Sequence, residues 1–143
     1  RFNVDDRVIT WVTVTDPEVA RVPLNELYAT LHGIPYEVTR FGIDDLDRAI
    51  ADEAAHGYIK VLSVPGKDRI LGVTIVGEHA GDLLAEYVAA MKHGHGLNKV
   101  LGTIHIYPTL AEANKAVAGE WKRAHAPAGL LRWVARFHQW RLG

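Results

Sequence analysis

The sequence predicts an α+β fold, an antiparallel sheet flanked by helices. Two observations carry this. "YIKVLSV" and "RILGVTIVG" are apolar, β-branched runs separated by "PGKD", and a Pro-Gly turn between such runs argues for antiparallel pairing. Around that hairpin, segments with apolar residues at helical spacing alternate with short strand-like runs, the pattern of a layered α+β domain.

The elements follow in chain order. "RVITWVTVT", Arg7 to Thr15, is β-branched with one Trp and reads as a strand. "DPE" after it reads as a turn, with Pro17 fixing φ, and Asp16 and Glu18 belong to that turn. "PLNELYATLHG" places Leu24, Leu27, Tyr28 and Leu31 at helical spacing, with Pro23 suited to a first turn and Gly33 to a C-terminal stop. "PYEVTRFG" reads as a second strand. "DDLDRAIADEAAHG" opens on carboxylates and closes on His-Gly, a favourable charge order for a short helix. After the hairpin, "AGDLLAEYVAAMKHGHG" puts Leu83, Leu84, Tyr87, Val88 and Met91 on one helical face, and Gly94 and Gly96 end it. "LNKVLGTIHIY" is short and mixed. "TLAEANKAVAGEWKRA" is a further helix with Leu110, Ala113, Val117 and Trp121 as its inner stripe.

The last stretch, 127–143, is separated by Pro127 and Gly129. Leu130, Trp133, Val134, Phe137 and Trp140 then repeat at helical spacing, with Arg132, Arg136 and Arg141 between them. Residues 1–126 therefore read as one domain and 127–143 as a basic amphipathic helix. Such helices can make a weak contact with a membrane surface; docking on their own domain or a partner is the commoner fate.

Composition sets bounds. The chain has 143 residues, 48% hydrophobic and 23% charged, which is enough for one core and ordinary for a globular domain. The net charge of −1 offers no basic field for nucleic acid. There is no cysteine, hence no disulfide, thiolate metal site or thiol redox centre of its own. The absence of cysteine, of a signal peptide and of a long apolar run fits a cytoplasmic protein. The chain opens with Arg1 directly into a strand-like run, which leads us to expect a C-terminal fragment of something longer. "KHGHG" gives His93 and His95 an H-x-H spacing with His105 further on, but the flanking glycines favour a solvated helix end over a metal site.

The stretch "GTIHIYPTLAEANKAV", residues 102–117, has two readings. Thr109 and Glu112 form a T-x-x-E capping box, in which Thr109 accepts from a first-turn N–H and Glu112 reaches back to the Thr109 N–H. Pro108 restricts Tyr107 to an extended conformation. In an extended segment His105 and Tyr107 point the same way, so they could share a site, although a supporting or interface histidine is the commoner role for such a residue.

The second reading comes from a resemblance. "TDPEVARV", "GYIKVL", "RILGVTIVGEHAGDLLAEYVAAMKHG" and "IHIYPTLAEA" occur in that order. Together they closely resemble the C-terminal dimerisation domain of the flavin-dependent pyridine nucleotide–disulfide oxidoreductases, over roughly Trp11 to Lys122. That family includes dihydrolipoamide dehydrogenase, glutathione reductase, mercuric reductase and soluble transhydrogenase. The resemblance implies a homodimer interface, with an H-P-T segment lent to the partner's active site. It also implies FAD and NAD(P) held by upstream domains and none by this segment alone. Tyr107, Pro108 and Glu112 match that segment. Tyr107 and Pro108 would face the partner's flavin, with Glu112 and His105 in support. Tyr107 stands where dihydrolipoamide dehydrogenase and glutathione reductase carry an acid/base His; soluble transhydrogenase and mercuric reductase also lack His there and fit better. Phenol titrates near 10 against about 6.5 for imidazole, so Tyr is a poor base at neutral pH. Pro23 also departs from the family's usual Gly. The alternative is a self-standing dimeric interaction module with no redox role.

Overall fold

The computed structural model describes residues 9–127. The expected hairpin is β4 (Tyr58–Ser63) and β5 (Ile70–Val76), paired antiparallel from Tyr58↔Val76 to Ser63↔Ile70 with a bulge near its closed end. β3 (Glu37–Gly42) adds to β4, while β2 (Val19–Pro23) and then β1 (Trp11–Thr13) extend the other side. Among the described residues the sheet has five strands in the order β1-β2-β5-β4-β3, and every pair is antiparallel.

One face of the sheet is the core face. Ala20, Val22, Ile59, Val61, Val73 and Ile75 on it are all fully buried. The helices α3 (Ala80–Lys92), α4 (Leu97–Gly102) and α5 (Glu112–Ala124) supply the other side of that core through Leu84, Tyr87, Leu97, Val100, Val117 and Trp121. α3 packs on β2 and β5, and α5 on β3, β4 and α4. The inner stripes read for both long helices are the buried or half-buried ones.

Several expectations are corrected. Of the first strand read, Arg7 and Val8 lie outside the described residues, and β1 takes up only Trp11–Thr13 of the rest, all three exposed. The turn-like "DPE" leads at once into β2, whose Ala20 and Val22 alternate inward. Pro23 ends that strand rather than opening a helix. β1 reaches only as far as Arg21, so the N–H that Pro23 lacks is not needed on that side. The following helix, α1 (Glu26–Leu31), is capped by Asn25, whose side chain accepts from the Tyr28 N–H at 2.8 Å. It turns Ala29 inward, and its apolar residues Leu27, Tyr28 and Leu31 face outward. Lys60 donates to Glu26 at 2.8 Å and ties this helix to β4. An added Cβ at Gly72 would lie 2.0 Å from the Leu24 carbonyl oxygen, so only glycine admits the chain entering α1 so close to β5.

The "DDLDRAIADEAAHG" helix breaks into a 3-10 turn, Ile43–Asp45, and α2 (Asp47–Ala51). Glu53, at φ +57°, helps end it before the His-Gly. The mixed "LNKVLG" is α4, missed by periodicity because it is only six residues long. The terminal helix read over 127–143 lies outside the described residues.

Candidate functional site at the head of the fifth helix

Residues 103–111 connect α4 to α5, and the site lies in 103–109. Thr103 ends α4, with its hydroxyl donating to the Lys99 carbonyl at 2.9 Å. From there the chain inverts the usual order of side chains. Ile104 is 93% exposed and Ile106 is 77% exposed, whereas the His105 side chain between them is only 5% exposed. His105 Nε2 lies 3.0 Å from both carboxylate oxygens of Glu86 on α3, and Nδ1 faces the Thr103 carbonyl at 3.1 Å.

Tyr107 goes elsewhere. It is 67% exposed, and its hydroxyl donates to Asp47 Oδ2 on α2 at 2.7 Å. Contrary to i, i+2 geometry, the His105 and Tyr107 side chains therefore take different partners. One side chain folds inward to α3 and the other reaches outward to α2. The Tyr107–Pro108 peptide bond is cis. Donation to Asp47, together with the Asp47 and Glu112 charges, holds the Tyr107 phenol above its ordinary value. The phenol is thus moved further from proton acceptance at neutral pH.

Glu112 is a cap. Its Oε2 accepts from the Thr109 N–H at 3.2 Å, which is half of the expected capping box. The other half is absent, because the Thr109 hydroxyl donates to the Ile106 carbonyl at 2.6 Å. That bond folds 106–109 into a tight turn and leaves Tyr107 and Pro108 at its outer edge.

Sequence reasoning missed Glu86, Asn114 and Asp47. Asn114, 1% exposed on α5, donates to Glu86 Oε2 at 2.8 Å and to the Leu83 carbonyl at 3.0 Å. The one available signal was an Asn at a core position of the α5 stripe, one residue after Ala113. His93 and His95 lie on the turn after α3, both exposed, with ring centroids 6.2 Å apart. Among the described residues, no three His, Asp or Glu side chains gather as a metal would require. His79 and Asp82 form an exposed i, i+3 pair at 3.5 Å. Glu18 of the "TDPE" turn accepts from the Gly81 N–H at the head of α3, at 3.4 Å.

Two shallow grooves flank the outward side of α3. One lies against β1 and includes Val12, Gly81, Ala85, Val88 and Ala89. The other lies against α4 and includes Glu86, Ala89, Lys99 and Thr103. The second joins the outer face of α3 to the start of the 103–109 segment.

Residues 9–118 match the model of the pyridine nucleotide-disulphide oxidoreductase dimerisation domain. Among curated proteins, the chain is 39% identical over 107 residues to a dihydrolipoamide dehydrogenase of Chaetomium thermophilum, covering 75% of this chain and 21% of the relative. It is 40% identical over 113 residues to a dihydrolipoyl dehydrogenase of Trypanosoma brucei brucei, covering 79% and 24%. The chain thus spans between a fifth and a quarter of the length of these relatives. Among solved structures, the fold matches LpdA from Mycobacterium tuberculosis with TM-score 0.74 and 20% identity, over 81% of this chain and 25% of that one. It matches the HOCl-induced flavoprotein disulfide reductase RclA from Escherichia coli with TM-score 0.74 and 17% identity, over 80% and 26%.

Proposed function

The chain belongs to the pyridine nucleotide-disulphide oxidoreductase dimerisation-domain family, and we propose that it forms the homodimer interface of a FAD-dependent NAD(P)H oxidoreductase. One observation carries this reading. Ile104, Ile106 and Tyr107 are exposed side by side on a segment whose polar His105 is turned inward. Large apolar side chains held out by an inward polar one are arranged for cover by another molecule. The outward face of α3, with Ala85 and Ala89, continues that surface and permits close approach of a second copy.

In this reading each copy lends Tyr107 and Pro108 to the flavin side of its partner. Their geometry suits an edge contact. The phenol and the neighbouring backbone carbonyls stand on an exposed turn, not in a cradle, so they fit one side of a flavin held by other domains. When bound, the flavin supplies the redox chemistry. Tyr107, held protonated by Asp47, offers a hydrogen-bond donor or an apolar wall and is unsuited to removing a proton from a thiol. Glu112 keeps the turn in shape through the Thr109 N–H. FAD and NAD(P) belong to upstream domains, so the 143-residue chain alone oxidises neither NADH nor NADPH.

Reading the gene upstream of Arg1 tests this. A strand followed by a glycine-rich dinucleotide fingerprint is expected, and paired cysteines before a helix would place the parent among the disulfide reductases. The fingerprint without the cysteines would indicate a transhydrogenase-like parent. With no fingerprint, the chain is a self-standing interaction module. Robust NAD(P)H oxidation by the pure chain without added FAD contradicts the proposal.

A further inference from the structure

Among the described residues, none of the amides of 104–107 finds a backbone acceptor. The segment is held by side chains. Thr109 ties down the Ile106 carbonyl from within the turn, and Tyr107 reaches Asp47 from the exposed edge. Among the described residues, His105 makes the hydrogen bond that joins the segment to α3 from inside. Its two ring nitrogens face the Glu86 carboxylate and the Thr103 carbonyl. Glu86 is in turn fixed by Asn114, which spends one amide hydrogen on it and the other on the Leu83 carbonyl. The Asn114 amide oxygen is buried without a partner. A buried amide that leaves its own acceptor unmet is better explained by what its donor holds than by packing.

We infer that His105 is a positioning residue for dimerisation. Through Glu86 and Asn114 it clamps residues 104–107 so that Ile104, Ile106 and Tyr107 are presented to the second copy while His105 stays within its own subunit. The inference rests on the dimer reading above. A histidine on a carboxylate makes a charge-assisted bond, stronger and more directional than apolar contact. It fixes the backbone on both sides of it, and a partner surface then meets a segment already ordered. Binding a pre-ordered segment avoids the entropy of ordering it on contact.

The test uses the full 143-residue chain, with backbone 15N relaxation for order and sedimentation for association. In His105→Ala the order parameters of 104–106 should fall from about 0.85, typical of rigid backbone, to below about 0.6. The dimer dissociation constant should rise about tenfold, as for loss of a single well-placed charged hydrogen bond. Glu86→Gln keeps an acceptor oxygen toward Nε2 and should lose distinctly less than Glu86→Ala. Tyr107→Phe removes the exposed bond to Asp47 and should leave 104–106 ordered. A general structural role would lower the melting temperature in His105→Ala while leaving the order of 104–106 and the dissociation constant at wild-type values; that pattern overturns the clamp. The two failures are separable. A wild-type chain that stays monomeric contradicts the dimer reading whatever the relaxation data show. Rigid 104–106 in His105→Ala contradicts the clamp whatever the oligomer does.

Discussion

Two carboxylates, Glu37 and Glu86, each organise one end of this domain, and they are used in opposite ways. Glu37, at the start of β3, gathers donors from across the fold. Trp121 Nε1 reaches it at 2.8 Å, the buried Ser63 hydroxyl at 3.1 Å, the Gly66 N–H at 3.2 Å and His125 Nε2 at 3.1 Å. The His125 ring stacks on Trp121 with centroids 4.3 Å apart. Everything in that cluster closes on itself. Glu86 also binds an inward histidine and a buried amide, but the residues beside that histidine point away from the molecule. A polar network that locks a fold is told from one that presents a surface by what it joins. In the first, one carboxylate links buried groups of separate elements, Ser63 on β4 and Trp121 on α5. In the second, the residues on both sides of the histidine are large, apolar and exposed.

The contrast can be broken most forcefully at Trp121. Trp121→Ala deletes a 5%-exposed side chain and its donor to Glu37, and should cost about 3–5 kcal/mol in urea unfolding. Glu37→Ala should come next, at about 1–3 kcal/mol, because Ser63 and Trp121 lose their acceptor. Equilibrium denaturation of each variant checks both values. If Glu37→Ala is neutral, the closed network is not holding α5 to the sheet.

A third, smaller effect depends on pH. His125 is held above its ordinary value, chiefly by the Trp121 carbonyl at its Nδ1; burial opposes this and Glu37 adds to it. Burial pushes Glu37 up, but hydrogen bonds from Trp121, Gly66, Ser63 and His125 outweigh it, and its carboxyl ends below the ordinary value. A raised histidine contributes stability that is full below its unfolded value near 6.5 and fades as pH rises through the higher folded value. A lowered carboxylate contributes above its unfolded value near 4.5 and loses that contribution as pH falls through the lower folded value. Both are engaged between those limits. The stability gap between wild type and His125→Ala should therefore be larger at pH 5.5 than at pH 8.5. A gap that grows with rising pH would reverse the assignment.

Smallest of all should be Tyr107→Phe. Its bond to Asp47 is exposed, so the urea midpoint should stay at the wild-type value. A lower midpoint would move Tyr107 from the presenting region to the locking one.

Much of this was legible in the sequence, and for stated reasons. Long periodic segments such as 80–92 and 112–124 declare their buried stripe, and the Pro-Gly hairpin declares its register partner. Short elements do not. β2 was hidden because "VARVP" ends in a proline, and its strand character comes from pairing with β5. α1 was legible as a helix, but not which way it faces, because Leu27 and Leu31 satisfy helical periodicity while lying on the exposed side. At the site, the motif string located the turn at 107–112. It could not show that His105 and Tyr107 part company, since that depends on Glu86 and Asp47, which are 19 and 60 residues away in the chain. Glu86 carried no signal of its own, because a polar residue on an amphipathic helix ordinarily reads as solvated.

The most direct measurement is sedimentation equilibrium of the wild-type chain beside Ile104→Asp and Ile106→Asp, with circular dichroism to verify the fold. Both isoleucines are exposed, so neither change should unfold the domain. If residues 104–107 present a dimer face, the wild type will sediment at twice the mass of one chain and each aspartate variant, still folded, will sediment at half of that. A wild-type monomer, or folded aspartate variants that remain dimeric, would contradict it.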